Sequence, residues 1–136
     1  MDIKRKYFDL IEQRIKDVYN HNQEKMKIVA KMFGECMENR GVVQLVGFRH
    51  SEQFVNELNY RAGGIAPYHA LKFRDLVLNG KYDQAKIDSG EAFNDLSVVD
   101  LFYGHYQMDD RDMFCLVSFY GDELILEDLV NTSKTQ

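Results

Sequence analysis

A chain of 136 residues has room for one domain with a real core, and 45% hydrophobic with 29% charged residues is ordinary for a globular protein. The net charge of −5 excludes a broadly basic surface for non-specific nucleic-acid binding. No basic segment leads into an apolar one at the start, and no apolar run approaches membrane length, so we expect a cytoplasmic protein with neither nucleic acid nor membrane as partner.

In chain order, Ile3, Tyr7, Leu10, Ile11, Ile15 and Val18 step round one helical face, and Met26, Val29, Met32, Phe33, Cys36 and Met37 repeat the pattern. These predict two N-terminal helices jointed at Asn20-His21-Asn22, the second covering the sheet and ending at Gly41 as a C′ glycine. Val42–Val46 is nearly continuously apolar, the pattern of a strand buried on both faces. Gly47 breaks it, and Ser51 stands where a helix N-cap would. Phe54, Val55, Leu58 and Ala62 follow at helical spacing, until Gly63-Gly64. Strand, tight turn and helix together present backbone N–H groups to an anion.

Pro67–Leu71 predicts a short second strand, with proline at its start, where a missing N–H is tolerated. Phe73–Leu78 reads as a short helix closed by Asn79-Gly80, and residues 80–95 read mostly as loop. A helix is predicted from about Asp95 to Tyr106, then a charged turn over Asp109–Asp112. Met113–Ser118 is the third strand, and Leu124–Val130 a last short helix. Apolar strands separated by helices predict an α/β fold with right-handed parallel crossovers. Cys36 and Cys115 read as buried reduced thiols, and the four histidines show no spacing for a metal; no cofactor is expected.

The stretch Gly41–Gly64 resembles the first motif of sugar isomerase (SIS) domains, the phosphosugar-binding modules. It is most similar to an uncharacterised bacterial branch that reads roughly Gly-x-Gly-His-Ser, then Glu-Leu-x-Tyr-Arg-Ala-Gly-Gly. Gly47, His50, Ser51, Glu57, Leu58 and the run Tyr60–Gly64 match; Phe48 and Arg49 depart, Arg49 standing at the second glycine. His105-Tyr106, the acidic turn, the third strand and Ser118 align with the approach to the second motif. That motif usually reads Ser-x-Ser-Gly-x-Asn or -Thr, and its hydroxyls hold the phosphate. Here Ser118-Phe119-Tyr120-Gly121-Asp122-Glu123 keeps only Ser118 and Gly121.

The resemblance implies a three-layer, flavodoxin-like parallel sheet with the first strand between the other two. It covers Asp2 to about Val130 and only the first part of the family's domain, so residues 1–136 are expected to be a single, C-terminally truncated SIS-like domain. The strand at Met113–Ser118 would then be an unguarded apolar edge. With the family's use of N-terminal helices in dimer contacts, this implies a homodimer or larger homo-oligomer.

The resemblance makes Gly47, Arg49, His50, Ser51 and Ser118 the phosphosugar-binding candidates. Ser51 reads equally as a ligand hydroxyl and as an ordinary N-cap. Arg49 damages the loop by blocking the close approach of backbone to phosphate and forbidding a positive φ, or binds phosphate through its guanidinium, or is a solvated turn residue; the first is narrowly preferred. Arg49, Arg61 and Lys72 are the cations for a local anion site. Glu57 and His50 are the acid–base candidates near the turn. Glu57 is more simply the partner of Arg61 at i,i+4, and Asp122 and Glu123 would repel a phosphate. Three readings remain. The first is a degenerate, non-catalytic phosphosugar-binding module with a binding or regulatory role. The second is a phosphoheptose-type aldose–ketose isomerase whose pocket dimerisation completes. The third is a structural subunit of a split SIS protein.

Overall fold

The computed structural model describes residues 2–133. Its three apolar runs form strands β1 (Val43–Gly47), β2 (Tyr68–Ala70) and β3 (Met113–Val117). They make one parallel sheet in the order β2-β1-β3, so the first strand lies between the other two as expected. Val43 stands opposite Tyr68 and Met113, and Leu45 opposite Ala70 and Cys115. Every residue of β1 is buried, which is why its sequence does not alternate. The helices are α1 (Ile3–Glu38), α2 (Ser51–Asn59), α3 (Phe73–Leu78), α4 (Gln84–Ser89), α5 (Ser97–Tyr106) and α6 (Leu124–Ser133), with a 3₁₀ turn at Glu91–Asn94.

The chain divides into two units, one up to Glu35 and one from Cys36 on. The first is most of α1. In place of two helices there is one helix of 36 residues. The Asn20-His21-Asn22 joint fails because these side chains bond back to the turn before them: His21 Nδ1 lies 2.7 Å from the Asp17 carbonyl, and Asn22 Nδ2 donates to Val18 O at 2.7 Å. Such back-bonding lets asparagine sit inside a helix where neither glycine nor proline breaks it. Tyr7, Phe8, Ile11, Ile15, Val18, Met26, Val29 and Met32 along it are exposed. At its end Arg40, not Gly41, takes the left-handed conformation (φ 61°). Glycine is needed at Gly41 for another reason, since a Cβ there would lie 1.9 Å from the Arg111 carbonyl oxygen.

In the second unit, residues 80–95 are not mostly loop. Asp83 accepts from the Ala85 N–H as the N-cap of α4, and Gly90 ends that helix at φ 84°. The helix is only six residues long, too short to show an apolar period. Helix α2 stops at Asn59, before Gly63-Gly64, and its N-cap position is held by His50, with Ser51 one residue inside. Cys115 is half-buried while Cys36 is buried, and both are free thiols.

One face of the sheet carries the main core. Val46, Phe114 and Leu116 meet Leu71, Leu76, Val98, Val99, Phe102, Ile125 and Leu129 there. An aromatic group fills its end near the turn, with Phe48 against Phe73 (4.9 Å between centroids), Phe93 (6.0 Å) and Phe102 (6.4 Å). On the other face α2 packs close to β1. A Cβ at Gly47 would lie 2.9 Å from Ser51 O and 3.0 Å from Val55 Cγ2, so only glycine lets the helix approach.

One polar chain interrupts the core. Gln44, 3% exposed, donates from Nε2 to Asp112 at 2.8 Å, and the other Asp112 oxygen accepts from the Val42 N–H. A carboxylate only accepts, which leaves Gln44 Oε1 to take the proton of His69 Nδ1 at 3.0 Å. Burial holds the pKa of His69 below its usual 6.5, against the pull of Asp75 and Asp112. The unfolded chain therefore binds this proton more readily than the folded one. Stability from this group is complete above about 6.5 and is lost as pH falls through the window below it. Urea midpoints should fall between pH 7.5 and 5.5, and less steeply in His69→Gln; equal slopes would contradict the assignment.

Candidate functional site

The site begins with the turn after β1, which Phe48 pins by burying its ring in the aromatic group. Arg49 then takes the left-handed backbone at φ 55°. Arginine therefore does not forbid a positive φ at this turn, and that part of the damaged-loop expectation is corrected. A non-glycine residue there costs on the order of 1–2 kcal/mol. The Arg49 guanidinium sits 4.4 Å from the centroid of Phe93, a contact worth about 0.5–2 kcal/mol that offsets much of the strain.

The opening N–H groups of α2 are already used: Ser51 N donates to Phe48 O, Glu52 N to Arg49 O and Gln53 N to His50 O, at 3.0–3.3 Å. Ser51 is 6% exposed, but its hydroxyl is not a buried polar atom lacking a partner, and it stands at the first helical position rather than at the N-cap. With His50 at the N-cap position, the ordinary N-cap role falls away from Ser51, which lies just beyond the end of the central strand.

Two cavities flank this end of the sheet. The first, about 390 Å³, lies between the turn, the start of α3 and α4. Gly47 and Arg49 line it, with Lys72 and Arg74 as further cations and Glu52 as its carboxylate. Lys72 is held by a hydrogen bond to Asn56 Oδ1 and lies 4.4 Å from the Tyr60 ring centroid. Arg74 is exposed and has no ion pair among the described residues. Arg61, expected among the anion-site cations, instead pairs with Glu57 at 3.8 Å on the exposed side of α2. Arg74 lines the cavity instead, and only the folded position of the β2–α3 junction reveals it.

The second cavity, about 450 Å³, holds Ser118, Gly121, Asp122, Glu123 and Glu127. Ser118 Oγ donates to Glu123 Oε2 at 2.5 Å and accepts from the Gly121 N–H at 2.6 Å. Glu123 is 6% exposed, so its carboxylate fills the place beside the serine from inside the protein. Sequence reasoning saw Glu123 as repulsive but not as the partner of Ser118. His50 is exposed, its ring 6.4 Å from that of Phe119, and lines neither cavity. Seven residues separate it from Glu57, roughly 10 Å along a helix axis. The fold thus does not assemble these two acid–base candidates. Among the described residues no group of three or more His, Cys, Asp or Glu could hold a metal ion, and no helix is long and apolar enough to cross a membrane.

Known proteins place this geometry. The family model described as "SIS domain" matches residues 6–136. The UPF0309 protein GK1441 of Geobacillus kaustophilus is 30% identical over 94% of this chain and 49% of its own length. The UPF0309 protein BH0227 of Halalkalibacterium halodurans is 28% identical over 94% of this chain and 50% of its own. The chain thus spans about half the length of these relatives. No solved structure matches. With the family match running from residue 6 to residue 136 over the sheet and turn described above, the chain belongs to the SIS domain family.

Proposed function

We propose that the protein is a phosphosugar-binding module without isomerase activity, acting through binding or regulation. The observation that carries this reading is the turn after β1, where Gly47 and Arg49 line a cavity of about 390 Å³ together with Lys72 and Arg74, at the strand end where α/β sheets take their ligands. A sugar phosphate carries the anion that such a cationic cavity attracts. Catalysis has less support, because aldose–ketose isomerisation needs a base poised over adjacent carbons, and Glu57 is committed to Arg61 on an exposed surface.

The test is a thermal-shift panel of hexose and heptose phosphates with their unphosphorylated sugars, followed by an isomerase assay on each binder. A ligand at a hundred times its Kd adds about 2.7 kcal/mol of stability. We expect shifts with phosphorylated sugars only, and no turnover. Shifts with none of them would reject the module, and turnover would convert the reading to an enzyme.

The same reading includes self-association. The exposed apolar residues of α1 and the open edge of β3, with Met113 to Val117 only half-buried, are surfaces that another chain can cover. Light scattering at low micromolar concentration should give at least twice the 15.9 kDa of one chain. A concentration-independent mass near 15.9 kDa would contradict it.

A further inference from the structure

We infer that the ligand's anionic group enters the 390 Å³ cavity on the β1–β2 side of the turn, held by Arg49, Lys72 and Arg74. The placement rests on the phosphosugar reading for the sugar, and on charge and geometry for the anion. Both cavities open beside the strand ends, but they differ in sign. The Ser118 cavity is lined by Asp122, Glu123 and Glu127 without a cation, so it repels phosphate. The Arg49 cavity is lined by Arg49, Lys72 and Arg74 with Glu52 as its carboxylate, and Lys72 and Arg74 also border a neighbouring cavity of about 580 Å³ with Asn56, Tyr60 and Asp75.

Its walls strengthen the attraction. Phe73, Val77, Ile87 and Phe93 exclude water from one side, which lowers the local dielectric. Two of the cations are fixed in advance, Arg49 over Phe93 and Lys72 between Asn56 and Tyr60, so little side-chain freedom is lost on binding. Arg74 has no partner to give up, and its guanidinium suits paired hydrogen bonds to phosphate oxygens. The arginine at the family's second glycine is then the first member of a relocated anion site, one that does not need the hydroxyls of the second motif.

The test is a ¹H–¹⁵N titration of the full chain with inorganic phosphate and, separately, with hexose 6-phosphates, in the unmutated protein and in Arg74→Gln and Lys72→Gln. Unchanged melting temperatures identify folded variants; Arg74→Gln breaks no side-chain hydrogen bond or ion pair among the described residues, so it carries the test even if Lys72→Gln is unstable. We expect phosphate to move the amides of Arg49 and Lys72–Arg74, not those of Ser118–Glu123, and Arg74→Gln to weaken binding at least tenfold. Affinity should fall as salt rises. Sugar phosphate bound equally by Arg74→Gln, or shifts centred on Ser118–Glu123, would overturn the placement while leaving the phosphosugar reading intact. Phosphate held at Arg74 while sugar phosphates bind no better than phosphate would keep the anion site and reject the sugar. Binding of neither ligand would reject both.

Discussion

Phe48→Ala should destabilise the protein by about 3–5 kcal/mol, the usual cost of emptying a buried phenylalanine site. Phe48 is 4% exposed and touches Phe73, Phe93 and Phe102, all of which lose packing together. Its neighbours cannot collapse into the gap, because Phe102 is also fully buried and packs at 5.6 Å between centroids against Phe73. The loss is large against the 5–15 kcal/mol that holds most domains together. It should also reach the site. Phe48 ties the turn to the core, and Phe93, one of its partners, carries the Arg49 guanidinium. Urea denaturation should therefore show a much lower midpoint, and any phosphosugar affinity should weaken in whatever fraction remains folded. Phe48→Leu, which keeps most of the volume, should recover much of both. A midpoint unchanged in Phe48→Ala would mean that the aromatic group does not anchor the turn.

Ser51→Ala should separate binding from folding. If the hydroxyl serves a phosphosugar, its removal should cost on the order of 1.5–3 kcal/mol of binding, roughly 10- to 150-fold in Kd. Stability should stay level, because His50 and not Ser51 holds the N-cap position of α2. An N-cap serine behaves differently: its loss typically costs about 1 kcal/mol of stability. Paired denaturation and titration of this one variant distinguish the two roles. A drop in stability with unchanged affinity would return Ser51 to the helix.

The fold was largely legible because its strands are short apolar runs bounded by helical spacing, and because burial of β1 on both faces leaves a plain signature. What was not legible depended on contacts between distant residues. The continuity of α1 through Asn20–Asn22 rests on side chains bonding backward, which spacing does not reveal. The buried chain from Asp112 through Gln44 to His69 joins three elements, and no local pattern marks its members.

At the site, the turn and its residues were visible from the motif, but their chemistry was not. The sequence left open whether Arg49 suits the turn; its positive φ and its contact with Phe93, more than forty residues on, depend on the fold. Ser118 looked like a survivor of the second motif until Glu123 was found buried against it. Arg74 carried no signal, since a single exposed arginine in a short helix is commonplace; its interest comes from lining one cavity with Arg49 and Lys72.

The most direct measurement of the central claim is isothermal titration calorimetry of the unmutated protein with hexose and heptose phosphates, each paired with its unphosphorylated sugar. The account predicts saturable heat for one or more phosphosugars, none for the matching sugars, and an affinity that falls with added salt. No heat for any phosphosugar, or equal heats with and without the phosphate, would contradict it.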